Sequence, residues 1–364
     1  MAGGRSGRDG VIPALTGLRG VGAVWVVSLH LTLGSSIPIV SRGDLGVDLF
    51  FILSGFILTR VHMSDFDGGY SIAKFGRFLL LRLARIYPLH LFTLFVFGAI
   101  VLALPDFTDR YEHPEYFSWQ QFIATALLVQ NWRMGLVSAW NSPSWSLSAE
   151  WLAYIAFPVS IFLASVPRWE FKPVVAMAAL LAMMFLCTAA GNPAISVAGA
   201  VGLIRMAAEF FAGCLIGQFV MDSRSASLPW STISGLSILA IIVGALFPPV
   251  VWLSIFGFAG LIAAVAAEGG VAARALSIGP ILFLGEMSFS IYLCHSPIIQ
   301  VRNWINDTVV ELNWALSTAA LVPIILVASI LTWRYVEKPG RAAGRRFIES
   351  KWPVGATRST PETA

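Results

Sequence analysis

The sequence is poor in charged residues. Asp, Glu, Lys and Arg together make up only 12% of the 364 residues, whereas hydrophobic residues make up 57%. Soluble globular domains carry about 25% charged residues, so this chain has too little polar surface to cover a water-soluble core. The composition excludes an ordinary soluble domain and favours a protein of the lipid bilayer.

Cysteine is also scarce, and the motifs of covalent catalysis are missing. Cys187, Cys214 and Cys294 each lie in an apolar run, and no two have the spacing of a metal site or a redox pair. We interpret them as small buried hydrophobic residues and predict no metal site. The absence of a Gly-x-Ser-x-Gly segment and of a Cys/His pair argues against an acyl-serine or acyl-cysteine intermediate.

Long apolar runs are abundant. A helix needs about 20 mostly apolar residues to cross a bilayer, and about ten runs approach that length. They cover residues 12–33, 45–62, 84–104, 144–165, 173–190, 201–221, 232–248, 250–267, 281–301 and 314–335. The sequence therefore predicts an all-α integral membrane protein with about ten transmembrane helices. Pro248 marks either a tight hairpin or one bent segment, and 117–131 is either an interfacial helix or a re-entrant piece.

The basic residues predict the orientation of these helices. If both termini are cytoplasmic, most Lys and Arg residues fall in the inner segments, as the positive-inside rule requires. The outer segments then hold only Arg42, Arg110, Arg133, Arg205 and Arg302. We expect a cytoplasmic N-terminus at 1–11, a transmembrane domain at 12–337, and a basic, then polar, cytoplasmic tail at 338–364. The tail suits a disordered segment near anionic lipid headgroups.

Ionisable side chains inside apolar runs are costly in a bilayer and mark functional candidates. Arg19 and His30 share the first run and face the same direction, about 16 Å apart along the helix axis. Asp48 lies near the outer end of the second run, where it can hold the His30 ring. The alternatives are a snorkelling arginine and a histidine that has simply reached the outer interface.

The start of the fourth run carries further candidates. Glu150 lies about two turns into the predicted helix, with Ser146 one turn above it on the same face. This carboxylate is either functional or satisfied by neighbouring hydroxyl groups. Trp145 belongs to an aromatic belt or forms a stacking platform for a sugar, and we count Trp145 and Ser148 as candidate substrate-binding residues.

Two more motifs lie before the third run and in the ninth. Arg77, Arg82 and Arg85 are predicted at the cytoplasmic face, either as ordinary positive-inside charge or as a clamp for phosphate oxygens. In the ninth run Tyr292 and His295 share a polar stripe, which either links helices by hydrogen bonds or contributes to a site. His295 is expected to reach the level of His30.

Together these segments resemble the membrane acyltransferase 3 family, the bacterial O-acyltransferases of cell-surface sugars. The resemblance covers nearly the whole chain, from Ile12 to about Pro339, and its motifs occur in one shared order. They are Leu-Arg-Gly (18–20), Arg-x10-His (19–30), Gly-Val-Asp-Leu-Phe-Phe-Ile-Leu-Ser-Gly-Phe (46–56), Arg-x-x-Arg (82–85) followed by Tyr-Pro (87–88), Trp-Ser-Leu-Ser-Ala-Glu (145–150), Phe-Leu-Gly-x-x-Ser-Phe-x-Ile-Tyr-Leu-x-His (283–295) and Tyr-Val-Glu-Lys-Pro (335–339).

The resemblance implies a ten-helix core in a bacterial plasma membrane, an acyl-CoA donor (acetyl-CoA above all) and a carbohydrate or glycoconjugate hydroxyl as acceptor. It also implies that His30 is catalytic with Arg19 as its motif partner, and that Arg82 and Arg85 lie at the CoA entrance. No permanent cofactor and no nucleic-acid partner are expected. Some members carry a soluble C-terminal hydrolase-like domain, for which this chain is expected to be too short.

A mechanism follows from this assignment. Neutral His30 takes the proton of an acceptor hydroxyl that attacks the thioester, while Asp48 or Glu150 orients the ring. An acyl-histidine intermediate stays open. The rival hypotheses are a transporter or proton pathway that uses buried His, Asp and Glu, and a non-catalytic membrane scaffold. The chain has no inverted repeat of the kind that many transporters show, and a scaffold leaves the costly buried groups unexplained.

Overall fold

The computed structural model describes residues 11–31, 37–66, 71–104, 106–132, 140–191, 199–267 and 270–352. All regular structure within these ranges is helical, which confirms the predicted all-α class. The α-helices are α1 (Pro13–Leu31), α2 (Leu45–His62), α3 (Ile72–Ala103), α4 (Trp119–Ala126), α5 (Ser144–Ser165), α6 (Lys172–Ala189), α7 (Ala200–Met221), α8 (Trp230–Leu246), α9 (Trp252–Ala267), α10 (Val271–Leu276), α11 (Gly279–Glu286), α12 (Ser288–Thr308), α13 (Trp314–Thr332) and α14 (Lys338–Lys351).

The chain is a multi-pass membrane protein by the length and apolar character of these helices. Within the described ranges, seven helices are long and apolar enough to cross a bilayer. The pair α11 and α12, bent by 65° at a short break, makes an eighth if it counts as one span. Helices α8 and α9 are apolar but have only 17 and 16 residues. The count of ten and the cytoplasmic termini stay predictions.

Helices α8 and α9 form a tight hairpin around a short turn at Pro248–Val250. A Cβ on Gly244 would lie 2.4 Å from the Ser254 hydroxyl, and one on Gly260 would lie 2.3 Å from the Ser237 hydroxyl. Early residues of α8 therefore face late residues of α9, which is the antiparallel pairing of a hairpin. Of the two alternatives left open at Pro248, the hairpin is correct.

Helix α1 runs beside α11 and α12 in the same direction. The backbones approach so closely that a Cβ on Gly20 would lie 2.6 Å from the Gly285 nitrogen. At the start of this contact Arg19 Nη2 donates to the Gly285 carbonyl at 3.4 Å. Near its other end the rings of His30 and His295 are 4.9 Å apart, centroid to centroid. The structure thus confirms that His295 reaches the level of His30.

Helices α2 and α7 also run in parallel at close range. A Cβ on Gly55 would lie 2.0 Å from the Phe210 carbonyl oxygen, and one on Gly213 would lie 2.1 Å from the Ile52 carbonyl oxygen. Because only glycine permits this approach, larger residues at either position would push the helices apart. The contact holds Asp48 of α2 beside Arg205 of α7.

The segment after the last apolar run is helical and packed. A π-helical turn at Trp333–Glu337 joins α13 to α14, and α14 lies along the N-terminal half of α3. Gly340 and Gly344 of α14 approach Pro88 and Ala84 of α3, where a Cβ would lie 2.5 and 2.7 Å from the α3 side chains. The expectation of a disordered tail is therefore wrong for residues 338–351. The stretch 353–364 lies outside the described residues.

Candidate active site

His30 is held by the backbone of its own helix. Its Nδ1 lies 2.8 Å from the carbonyl oxygen of Val26. A carbonyl oxygen can only accept, so Nδ1 carries the proton in this contact and Nε2 keeps its lone pair. The half-buried ring is therefore fixed in the tautomer that a general base needs.

The ring of His30 is not held by Asp48, contrary to one part of the predicted mechanism. Asp48 is completely buried, and its Oδ1 accepts from Nε of Arg205 at 3.1 Å and from Nη2 of the same guanidinium. The physical reason is charge. A buried carboxylate is stabilised far more by a permanent cation than by a neutral imidazole, and the α2–α7 contact supplies that cation.

Glu150 is also engaged elsewhere. Its Oε1 accepts from the Ser54 hydroxyl at 2.7 Å and from the Tyr154 hydroxyl at 2.6 Å. The hydroxyl of Ser146, one turn away on the same face, bonds instead to Tyr292 and to the Pro143 carbonyl. Neither carboxylate proposed as a partner of the His30 ring has that role in the structure.

His30 lines a cavity at one level of the helix bundle, named here the His30 cavity. Trp145, Arg205 and Tyr292 contribute to its wall, and its other polar lining residues are Asp44, Ser142, Ser296 and Gln300. Burial and the nearby Asp48 carboxylate raise the pKa of Asp44 to about 6. Asp44 therefore exchanges its proton close to neutral pH at the edge of this cavity.

A second cavity, the arginine cavity, lies at the level of Arg19. The guanidinium groups of Arg19, Arg82 and Arg85 line it together with Glu150. Its remaining polar lining residues are Ser54, Ser146, Tyr154, Ser288 and Tyr292. The three arginines that the sequence singled out, one on α1 and two on α3, therefore meet in one enclosure.

Tyr292 stands between the two cavities. Together with Val47 it lines both of them. Its hydroxyl lies 2.7 Å from the Ser146 hydroxyl and donates to the Pro143 carbonyl at 3.1 Å. Since α5 and α12 are joined at this point, Tyr292 lies in the wall that the two cavities share.

Besides Asp48, three predicted site residues lie outside these cavities. Ser148 is fully buried, and its hydroxyl accepts from the Asn131 backbone N–H at 3.2 Å. His295 contacts the His30 ring but lines neither cavity. Arg77 donates from Nε to the Trp352 carbonyl at 3.3 Å, at the exposed end of α14. Arg77 is thus separated from the pair formed by Arg82 and Arg85.

Arg82 is positioned by a chain of hydrogen bonds that the sequence did not reveal. Its Nη2 lies 3.1 Å from Nε2 of His62, and Nδ1 of His62 lies 2.8 Å from Oδ2 of Asp65. Arginine can only donate, so Nε2 of His62 accepts and Nδ1–H donates to the carboxylate. The chain Asp65–His62–Arg82 fixes one arginine of the cavity in place.

Two buried charges in α7 were also missed. Arg205 was counted among the outer positive residues, yet it belongs to α7 and is buried, with 1% of its surface exposed. Glu209 follows one turn later on the same helix and is completely buried. The signal was available, because an Arg and a Glu four residues apart in an apolar run are costly in a bilayer. The structure adds Glu337, which accepts from the Ser290 hydroxyl at 2.7 Å.

The fold and these cavities define a polytopic membrane protein in which a histidine, held in the tautomer of a general base, lines one cavity and three arginines line the adjoining cavity. The comparison with protein families agrees with the sequence motifs. The chain belongs to the acyltransferase 3 family, whose model, described as an acyltransferase domain, matches residues 12–334. The protein is therefore an acyltransferase.

Two relatives show how far the similarity extends. The chain is 30% identical to Acyltransferase MdmB of Streptomyces mycarofaciens, over 96% of this chain and 97% of that protein. It is 23% identical to Peptidoglycan O-acetyltransferase OatA of Listeria monocytogenes, over 92% of this chain but only 56% of that protein. No solved structure matches the chain.

Proposed function

We propose that this protein is an O-acyltransferase of a bacterial plasma membrane. It moves an acyl group, foremost acetyl, from cytoplasmic acyl-CoA to a hydroxyl of a carbohydrate or glycoconjugate. The observation that carries the proposal is the stacking of two cavities that share Tyr292, one lined by three arginines and the other by His30. The O-acetyltransferase named among the relatives supports the acetyl group and the carbohydrate acceptor.

The arginine cavity suits the phosphates of the donor. Arg19, Arg82 and Arg85 form no ion pair with any carboxylate in the described part of the chain. Clustered guanidinium groups that outnumber the nearby carboxylates repel one another, and phosphate oxygens relieve that repulsion with charge-assisted hydrogen bonds. The thin pantetheine arm then extends past Tyr292, so that the thioester reaches the His30 cavity.

The chemistry at His30 needs no covalent intermediate. Nε2 takes the proton from the acceptor hydroxyl while its oxygen attacks the thioester carbonyl. The tetrahedral intermediate collapses, the carbon–sulfur bond breaks, and the imidazolium returns the proton to the leaving thiolate. The Val26 carbonyl keeps Nδ1–H in place throughout, so the ring stays oriented without a carboxylate partner. An acyl-histidine would use the same Nε2 lone pair as a nucleophile.

The His30 cavity suits a sugar acceptor. Asp44, Ser142, Ser296 and Gln300 offer hydrogen-bonding groups to hydroxyls, and Trp145 offers an aromatic face in the same wall. A few polar groups around an apolar face are the usual composition of a site for a small polar ligand. This composition favours a carbohydrate over an apolar alcohol.

Mass spectrometry of envelope and secreted glycans, with and without the protein, tests the proposed function. We expect acyl esters on one glycan species in cells that make the protein and their loss in cells that lack it. Unchanged glycans, together with failure of the purified protein to bind acetyl-CoA, would favour the transporter or the scaffold.

The predicted orientation can be tested by thiol labelling. Glu112→Cys introduces a thiol in the segment 105–143, which is external in the predicted orientation, and Ser350→Cys introduces one on α14, both at exposed positions. An impermeant reagent should label the first variant and spare the second in intact cells, because positive residues concentrate on the cytoplasmic side. The native cysteines are buried and give little background. The reverse labelling pattern would overturn the orientation.

Glu150→Gln should fold normally but turn over more slowly. The amide is close in shape and can still accept from Ser54 and Tyr154, yet it removes the carboxylate beside Arg19 and Arg82 in the arginine cavity. We expect turnover to fall by about tenfold, as for the loss of one charged interaction of about 1.4 kcal/mol in the transition state. The measurement is acyl transfer per folded molecule.

A matched control is Glu286→Gln, because Glu286 is exposed and lines neither cavity. That variant should keep wild-type turnover. A Glu150→Gln protein that unfolds readily, while its folded fraction is fully active, would make Glu150 a purely structural residue.

A further inference from the structure

Helix α14 brings a fourth arginine to the cytoplasmic side of the arginine cavity. Gly340 and Gly344 contact Pro88 and Ala84 of α3, and Arg341 lies between these two glycines in sequence. Its strongest electrostatic neighbour is Arg85, and Arg19 and Arg82 also sense its charge. Arg341 therefore belongs to the same positive cluster, although it lies on a helix at the other end of the chain.

This cluster lacks enough negative charge of its own. Across the described ranges, Arg85 and Arg341 form no ion pair. Glu337, a carboxylate on which the charges of both arginines act, already accepts from the Ser290 hydroxyl. Four guanidinium groups held together by helix packing against two carboxylates leave an excess of positive charge, which a bound anion would balance.

Arg341 differs from the other three in position. Arg19, Arg82 and Arg85 line the cavity and are partly buried, whereas Arg341 is exposed and does not line it. It therefore lies outside the enclosure, farther along the path from His30. In CoA the diphosphate is nearer to the thioester, and the phosphate on the ribose is the outermost anionic group.

We infer that Arg341 binds the 3′-phosphate of CoA and so selects CoA over its 3′-dephospho form. This inference rests on the proposed CoA donor. Arg82 and Arg85 then serve the diphosphate. The close contact of Gly340 and Gly344 with α3 sets the distance between these two phosphate sites. The π-helical turn at Trp333–Glu337 directs α14 onto α3, which fits the frequent use of such turns at functional sites.

The test is binding of CoA and of 3′-dephospho-CoA to the detergent-purified full chain by isothermal titration calorimetry. Wild type should bind CoA about 10- to 100-fold more tightly than dephospho-CoA, the range expected for hydrogen bonds to a charged group. Arg341→Ala should bind CoA as weakly as wild type binds dephospho-CoA, with its affinity for dephospho-CoA nearly unchanged. The losses of affinity from removing the Arg341 side chain and from removing the 3′-phosphate should not add, because both changes remove the same contact.

Arg345→Ala is the matched control, since Arg345 lies one turn later on α14 and pairs with Glu349. It should keep the wild-type preference for CoA. Arg341→Gln, which keeps a similar length, should behave as Arg341→Ala does and guards against a packing defect. The inference is overturned if Arg341→Ala still prefers CoA over dephospho-CoA, or if it binds both ligands more weakly by the same factor. It is also overturned if the wild type binds the two ligands with equal affinity. A wild type that binds neither ligand overturns the proposed donor itself.

Discussion

His30→Ala should abolish acyl transfer and leave CoA binding nearly intact. The substitution removes the only group positioned by the Val26 carbonyl to present a free Nε2 to the His30 cavity. Loss of a general base costs about 100- to 10,000-fold in rate. The donor phosphates are expected in the arginine cavity, about 16 Å of helix rise away, so their contacts should survive.

Arg82→Ala and Arg85→Ala should show the opposite pattern. Each removes a guanidinium from the wall of the arginine cavity, so the donor KM should rise with a smaller loss of kcat. CoA affinity should fall by about tenfold or more for each lost charge-assisted contact. Arg77→Ala is the matched control on α3, because Arg77 contacts the Trp352 carbonyl and lines neither cavity.

Both measurements use one detergent-purified preparation, with CoA binding and acyl transfer followed in parallel. Wild-type turnover in His30→Ala would remove the histidine from the mechanism. If His30→Ala loses as much CoA affinity as the arginine variants do, then donor binding and proton transfer do not belong to separate cavities. In either case the two-level mechanism fails.

The sequence predicted those features that depend on local periodicity. Hydrophobic runs located the helices, and the predicted bounds 144–165 and 45–62 agree with α5 and α2. The spacing of Arg19 and His30 placed them at different levels of one helix, where they line separate cavities. The direction of the ninth run indicated that His295 reaches the level of His30, whereas the contact between the two rings is a finding of the structure.

The partners of buried charges could not be derived in this way. Whether Asp48 meets His30 or Arg205 depends on which helix packs against α2, and Gly55 and Gly213 decide this through backbone approach. The same holds for His62, whose contact with Arg82 joins α2 to α3. Periodicity indicates which face of a helix is buried but not which neighbour covers it.

The tail was misjudged for a related reason. Residues 338–351 are rich in charge and contain two glycines, a composition that suggests disorder in isolation. In the folded protein those glycines allow α14 to pack closely against α3. The same two residues that weaken α14 as an isolated helix therefore permit its contact with α3. Composition indicates how residues 338–351 behave in isolation, whereas their helical structure in the protein depends on packing against α3.

Breaking the ion pair between Asp48 and Arg205 should be strongly destabilising, and the two single variants should differ. Arg205→Gln leaves the buried Asp48 and Glu209 without a cation, whereas Asp48→Asn leaves Arg205 with Glu209 still in its electrostatic surroundings. Removing one member of a buried pair costs about 3 to 5 kcal/mol. Arg205→Gln should lie at the upper end of that range and Asp48→Asn below it.

The double variant Asp48→Asn, Arg205→Gln separates charge balance from catalysis. Two neutral amide groups can hydrogen-bond to each other in the same space, so the apparent melting temperature should recover from that of Arg205→Gln. Nη1 of Arg205 has no hydrogen-bond partner in the described structure, and the residue lines the His30 cavity. Turnover should therefore stay low even when stability returns, because the cavity has lost a positive charge beside the reacting thioester. Thermal unfolding and acyl transfer of all four proteins decide this, and full recovery of turnover in the double variant would reduce Arg205 to a counter-ion for Asp48.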